Sequence, residues 1–259
     1  MSSAPAPVWF RQDLRLADNP ALEFVRGRGA PIVPVFVWAP EEEEEWAPGA
    51  ASRWWLHHSL AALEQSLAKQ HLHLVIRTGR VLDALRDLAR QSGARAVVWN
   101  RRYEPGVIRR DTALKRALLD DGLEVRSFNG ALLHSPTAVK NKSDKPFQVF
   151  TPFWKHCRTL PVRDEIALAD KPIIAPGTWP GGEKIDSLGL LPSIGWDREF
   201  YEHWKPGEAG ARLALKQFLA GATEDYAQPG VSTPVCGAPR DCRRICTSVK
   251  SVRCRSTMP

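Results

Sequence analysis

Charged side chains that directly follow buried strands are well placed for binding or catalysis, and this sequence has two such clusters. Arg11, Asp13 and Arg15 follow an apolar run at residues 7–10, and Asn100-Arg101-Arg102-Tyr103-Glu104 follows one at 96–99. Segments that follow strand ends are where the chemistry of an open parallel sheet is to be sought. In the plainer reading Asp13 caps or pairs and the arginines solvate the turn. Other candidates carry less. Trp54-Trp55 and His57-His58 sit at helical spacing and read as core and surface neighbours rather than a metal site. The run Glu41 to Glu45 reads as a solvated loop, and residues 143–145 as an exposed polar turn. The sequence contains no glycine-rich dinucleotide or phosphate loop.

Apolar periodicity gives the elements that must position these clusters. Residues 7–10, 31–38, 73–77, 96–99 and 123–128 read as strands. The run at 31–38 is apolar on both alternations, as in a strand covered on both faces. Residues 19–28, 51–70, 81–92 and 107–121 read as helices. Asp18 or Asn19 caps the first, ahead of Pro20, and Gly93 and Gly122 follow the last two as stops. This alternation specifies an α/β fold, a five-stranded parallel, doubly wound, Rossmann-like sheet. Ligands of such sheets sit outside the carboxyl ends of the strands. Segments 11–16, 39–45, 78–80 and 100–105 lie there. Residues 161–195 are rich in Pro, Gly and Asp and read as a connector. Residues 208–222 read as a helix that opens a second, helical domain.

The 259 residues are 43% hydrophobic and carry a net charge of +7. That composition allows a sizeable core, and the basic balance favours a polyanionic partner such as nucleic acid. No apolar run has the length of a bilayer crossing, and the start MSSAPAPVWF lacks the pattern of a secretory signal. A cytoplasmic protein with no membrane partner is expected. Cys157 stands apart, and Cys236, Cys242, Cys246 and Cys254 fall late, in no defensible zinc spacing.

The first loop, Trp9-Phe10-Arg11-Gln12-Asp13-Leu14-Arg15-Leu16-Ala17-Asp18-Asn19-Pro20-Ala21-Leu22, resembles the opening signature of the cryptochrome/photolyase family. Val35-Phe36-Val37-Trp38, Val98-Trp99-Asn100-Arg101-Arg102-Tyr103-Glu104-Pro105 and Pro152-Phe153-Trp154-Lys155 agree with it in order and spacing across residues 7–228. The resemblance implies an α/β antenna domain over residues 1–130, a connector over 131–200, and the start of an all-helical FAD-binding domain over 201–228. It implies a monomeric deoxyribodipyrimidine photolyase that repairs cyclobutane pyrimidine dimers in damaged DNA with light and reduced FAD. A cryptochrome-type photoreceptor and a standalone chromophore-binding module are the alternatives.

By the same resemblance, Phe36, Val37, Trp38, Arg53, Asn100, Arg101 and Glu104 contact an antenna chromophore. The family's antenna pigments are a folate, a deazaflavin or a flavin nucleotide. A folate (methenyltetrahydrofolate) is slightly favoured over a deazaflavin, because deazaflavin-binding members usually carry an acidic residue where Arg102 stands here, although the common bacterial folate pattern also differs around Gly106 and Val107. Trp38 could stack on a planar ring, while Arg53 and Glu104 fix its polar edge. Alternatively, Phe36 and Trp38 are strand core and Glu104 pairs with Arg102. Tyr226 matches a tyrosine that touches FAD in the family.

Beyond Gln228 the resemblance stops. Residues 229–259 form an arginine- and cysteine-rich tail with weak periodicity, expected to be disordered. Codon degeneracy permits residues 237–253 to be read one nucleotide earlier as a string containing TSRLS and HFGE, which resembles the family's flavin-binding core. A frameshift near Gln228 or Pro229 is therefore expected. It would leave the helix at 208–222 little to pack against and the chain a poor binder of FAD.

Overall fold

The computed structural model describes residues 4–166 and 172–222. Five strands, β1 (Ala6–Phe10), β2 (Ile32–Trp38), β3 (Val75–Thr78), β4 (Ala96–Asn100) and β5 (Glu124–Phe128), form one sheet in the order β3-β2-β1-β4-β5. Every neighbouring pair is parallel, as the strand–helix alternation requires.

The helices are α1 (Pro20–Gly27), α2 (Ala50–Ala68), α3 (Val81–Ser92), α4 (Pro105–Asp120), α5 (Phe150–Thr159), α6 (Phe200–His203) and α7 (Glu208–Gln217). A 3-10 segment, Pro40–Trp46, joins β2 to α2.

Strand alternation divides the core into two layers. Val8, Phe10, Ile32 and Phe36 face Leu22 and Val25 of α1 and Leu60, Leu63 and Leu67 of α2. Trp9, Val33, Val35, Val37 and Trp99 face Leu85 and Leu88 of α3 and Leu114 and Leu118 of α4. Helices thus cover both faces, which explains why β2 is apolar on both alternations. Asn19 is the N-cap of α1: its side chain accepts from the Leu22 amide at 3.2 Å. Gly93 ends α3 in the left-handed conformation at φ 66°, where a Cβ would add strain.

The later segments hold closer to this body than their composition suggests. The connector pairs with the edge of β3, where the Glu183 amide donates to the Ile76 carbonyl at 3.0 Å. It also sends Ile185, Leu188 and Leu190 into the α1–α2 core. Pro152-Phe153-Trp154-Lys155 lies on α5, with Pro152 in the first turn, where its missing N–H costs nothing. The helix expected over 208–222 ends at Gln217, and Phe218–Ala222 forms a π-helical turn. Contrary to expectation, α7 has a seat. Ala211 is buried, Glu208 accepts from the Leu16 amide at 2.9 Å, and Gly207 (φ 99°) sits so near α2 that a Cβ would lie 2.6 Å from the Ala62 methyl.

Candidate functional site

The strand order reverses direction about β1, which has β2 on one side and β4 on the other. That reversal opens a crevice at the carboxyl ends of these strands. Buried polar groups hold the crevice together. The loop after β1 turns back at Asp13, which accepts from the Arg11 amide at 3.0 Å. Asn100, the last residue of β4, donates to Asp13 at 2.5 Å and to Asn19 at 2.7 Å, and accepts from the Ala21 amide at 3.2 Å. Gly130 lies against Asn100 so closely that a Cβ there would come within 2.8 Å of its Cγ.

The arginines of the first loop do not solvate the turn. Both are buried. Arg11 donates to the Asn100 carbonyl and to Asp111 (2.6 Å), and its guanidinium stands 4.7 Å over the Trp9 ring. Arg15 donates to the carbonyls of Ala17, Asp18 and Gly130. Burial pulls both guanidinium pKa values down, against the opposing pull of Asp111 on Arg11 and of Asp13 on Arg15. The bare spacing of Arg11, Asp13 and Arg15 allowed either a ligand cluster or a solvated turn. It is mainly a brace, with Arg11 alone of the three on the crevice wall.

A cavity of about 140 Å3 opens at the crevice, lined by Trp9, Arg11, Phe36, Val37, Trp38, Glu43, Arg102 and Arg110 among others. Of the expected contacts, Phe36, Val37 and Trp38 therefore meet there. The remaining four do not line it. Arg53 is exposed on the first turn of α2. Asn100 belongs to the brace, and the Arg101 amide donates to the Phe128 carbonyl at 2.8 Å. Glu104 is the exposed N-cap residue of α4 and accepts from the Tyr103 amide at 2.9 Å. Its pairing with Arg102 exists, at 3.4 Å, but is the weaker of that arginine's bonds.

The acidic run is not simply a solvated loop. Glu43 receives two hydrogen bonds from Arg102, at 2.7 and 2.9 Å, and one from Arg110 at 3.0 Å. Glu42 accepts from the Val81 amide at 2.9 Å, at the start of α3. Burial would raise the Glu43 pKa, but Arg102 and Arg110 outweigh it and hold the carboxyl below its ordinary value. Arg102 answers in kind: burial lowers its pKa, and the bonds and charge of Glu43 more than restore it.

Trp9, Arg11, Glu43, Arg102 and Arg110 are the aromatic and charged lining residues that sequence reasoning missed as ligand contacts. Trp9 and Arg11 lay inside the strongest motif. The pairing of Glu43 with two arginines, 59 and 67 residues away, left no local signal.

The lining chemistry suits a flat heteroaromatic ligand with an anionic group. Trp9, Phe36 and Trp38 supply aromatic faces, and three arginines supply charge. The indole nitrogen of Trp9 and the Nε atoms of Arg11 and Arg102 are buried without a hydrogen-bond partner among the described residues. A larger groove, about 830 Å3, lies at the opposite, amino ends of the strands, between Phe24, Arg28, Arg95 and Glu124. It sits on the wrong side of the sheet for a ligand of this architecture, and Arg28 and Glu124 already satisfy each other at 2.7 and 3.0 Å.

No helix among the described residues is long and apolar enough to cross a membrane. Tyr226 and residues 229–259 lie outside the described residues.

Comparison with known proteins places this architecture. The chain is 46% identical over 230 residues to the deoxyribodipyrimidine photo-lyase of Agrobacterium fabrum, covering 87% of this chain and 47% of that one. It is 37% identical over 231 residues to cryptochrome-2 of Arabidopsis thaliana, covering 85% of this chain and 37% of that protein. The crystal structure of a bacterial class III photolyase from Agrobacterium tumefaciens superposes with a TM-score of 0.79 at 39% identity, over 96% of this chain and 57% of that one. The chain thus spans about half the length of these relatives or less. The DNA photolyase family model matches residues 6–172, from the first strand into the connector, and the chain belongs to that family.

Proposed function

We propose that this chain is the pigment-binding part of a deoxyribodipyrimidine photolyase, and that its crevice holds the light-harvesting chromophore. The observation that supports this most is the cavity at the ends of β1 and β2, where Phe36, Val37 and Trp38 meet Arg11 and Arg102. The bound pigment supplies absorption of light and passage of that energy to a second centre. The protein's part is to bind and hold it. Trp38 and Phe36 would offer aromatic faces to the ring, and Val37 and Pro40 would exclude water. Arg11 is fixed by Asp111 and the Asn100 carbonyl, so it presents a preset charge rather than a floating one.

Photolyase is preferred to cryptochrome because identity to the named photolyase is higher, 46% against 37%. In the parent enzyme, reduced FAD would supply the electron that opens a cyclobutane dimer in DNA. Tyr226 is the only FAD contact assigned in this sequence.

The domain limits proposed are 1–130, 131–200 and 201–228, with 229–259 read out of frame; the coding DNA at codons 237–253 tests the last of these. The pigment reading is tested by titrating the purified chain with methenyltetrahydrofolate, a deazaflavin and FMN while following each ligand's absorbance. A saturable one-to-one complex with one of them supports it. Failure of all three to bind rejects it.

A further inference from the structure

Ligand sites for small molecules usually enclose about 300–1,000 Å3, and this cavity measures about 140 Å3. Its residues suit a planar ligand, but its volume does not. Pro40 and Glu43 of the 3-10 segment Pro40–Trp46 form part of its wall. Seven residues is long for such a helix. Among its described side chains, Glu43 bonds the segment to Arg102 and Arg110, and Glu42 bonds it to the Val81 amide.

The three arginines of the cavity differ in their partners. Arg11 is matched by Asp111 at 2.6 Å and by a backbone carbonyl. Arg102 and Arg110 both lean on Glu43; their other carboxylates, Glu104, Asp111 and Glu42, stand at 3.4, 3.4 and 3.9 Å. Arg110 also lies 5.9 Å from the Trp9 ring, close to an aromatic wall.

We propose that Arg102 and Arg110 form an anion seat that Glu43 occupies. The carboxylate or phosphate of the planar ligand displaces Glu43 from it, releasing Pro40–Trp46 and enlarging the cavity. No bond is made or broken beyond this exchange of one anion for another across the same two guanidinium groups. The proposal rests on the pigment reading above and adds the chemistry of the ligand's tail. Glu43 acts as an internal rival, so apparent affinity for an anionic ligand is set by how readily it leaves.

Calorimetric titration of the full chain with three ligands tests this. FMN carries a phosphate, methenyltetrahydrofolate carries carboxylates, and riboflavin has the FMN ring without the charge. Glu43→Gln should tighten FMN, the folate, or both by about tenfold and leave riboflavin unchanged. Arg110→Gln should weaken FMN toward the riboflavin level, and it keeps the test open should Glu43→Gln fail to fold. A gain confined to FMN identifies a phosphate seat, and one confined to the folate a carboxylate seat. Equal changes for FMN and riboflavin, or none for either anionic ligand, overturn the anion seat and leave the pigment reading standing. No binding of any ligand to any variant overturns both.

Discussion

Asn100 donates to Asp13 across 2.5 Å, joining the end of β4 to the loop after β1. The same amide group donates to Asn19, and its oxygen takes the Ala21 amide. One side chain therefore fixes the β1 loop, the N-cap of α1 and the last residue of β4 at the crevice. Asn100→Ala would strand several buried partners, each worth about 1–3 kcal/mol when left unsatisfied. The expected loss is about 3 kcal/mol, measured by urea unfolding. Gly130→Ala should destabilise through the same point, by about 1–3 kcal/mol, because its Cβ would press on the Asn100 side chain. Full stability in both variants would refute the brace.

Asp18 ties the connector to this loop. It is buried, with φ 46°, and accepts from Arg163 at 2.7 and 2.9 Å and from the Ile166 amide at 3.0 Å. Asp18→Asn keeps a residue that tolerates positive φ but removes the charge. The expected cost is about 1–3 kcal/mol, seen as faster proteolytic cleavage near residues 160–166. Arg163→Gln should behave alike, and unchanged cleavage in both would show that the pair does not hold the connector.

Acid should loosen the chain in a defined window. Arg28 and Arg126 hold the Glu124 carboxyl down to about 2, and Glu43 is held low against its burial by Arg102 and Arg110. Both groups have depressed pKa values in the fold, so their stabilisation is complete above the ordinary value near 4.5 and is lost as pH falls through the folded value, about 2 for Glu124. The Glu124 side chain is about one-third exposed, so its share is expected to stay within about 1 kcal/mol. Glu124→Gln should flatten the unfolding profile between those pH values, and an identical profile would exclude this source.

Much of this was legible in the sequence. Alternation in β2 pointed to the sheet and its two covered faces, and the residues before Pro20 narrowed the cap of α1 to Asp18 or Asn19, because such signals are local. The motif at Trp9 to Arg15 marked the crevice, yet its spacing could not reveal that Arg15 is wholly buried against backbone carbonyls. The acidic run misled for a related reason. Its partners Arg102 and Arg110 come from beyond β4, and a salt bridge across the crevice leaves no periodic trace. The seat of α7 depended on the contact of Gly207 with Ala62, which helix propensity alone does not encode.

Trp38 is half-buried at the end of β2 and packs on the α1–α2 core while lining the cavity. Trp38→Ala should weaken pigment binding at least tenfold, since an aromatic stack contributes about 0.5–1.5 kcal/mol beyond the area it buries. Equilibrium dialysis against methenyltetrahydrofolate measures this, with circular dichroism to confirm that the variant folds. A folded variant that binds as tightly as the parent would remove Trp38 from the site.

The most direct measurement is a crystal structure of the chain grown with the pigment that binds it in titration. The expected result is ligand density at the carboxyl ends of β1 and β2, against Trp38 and within reach of Arg11 and Arg102. Density in the groove between Phe24, Arg28 and Glu124, at the other ends of the strands, would contradict the assignment of the pigment to this crevice.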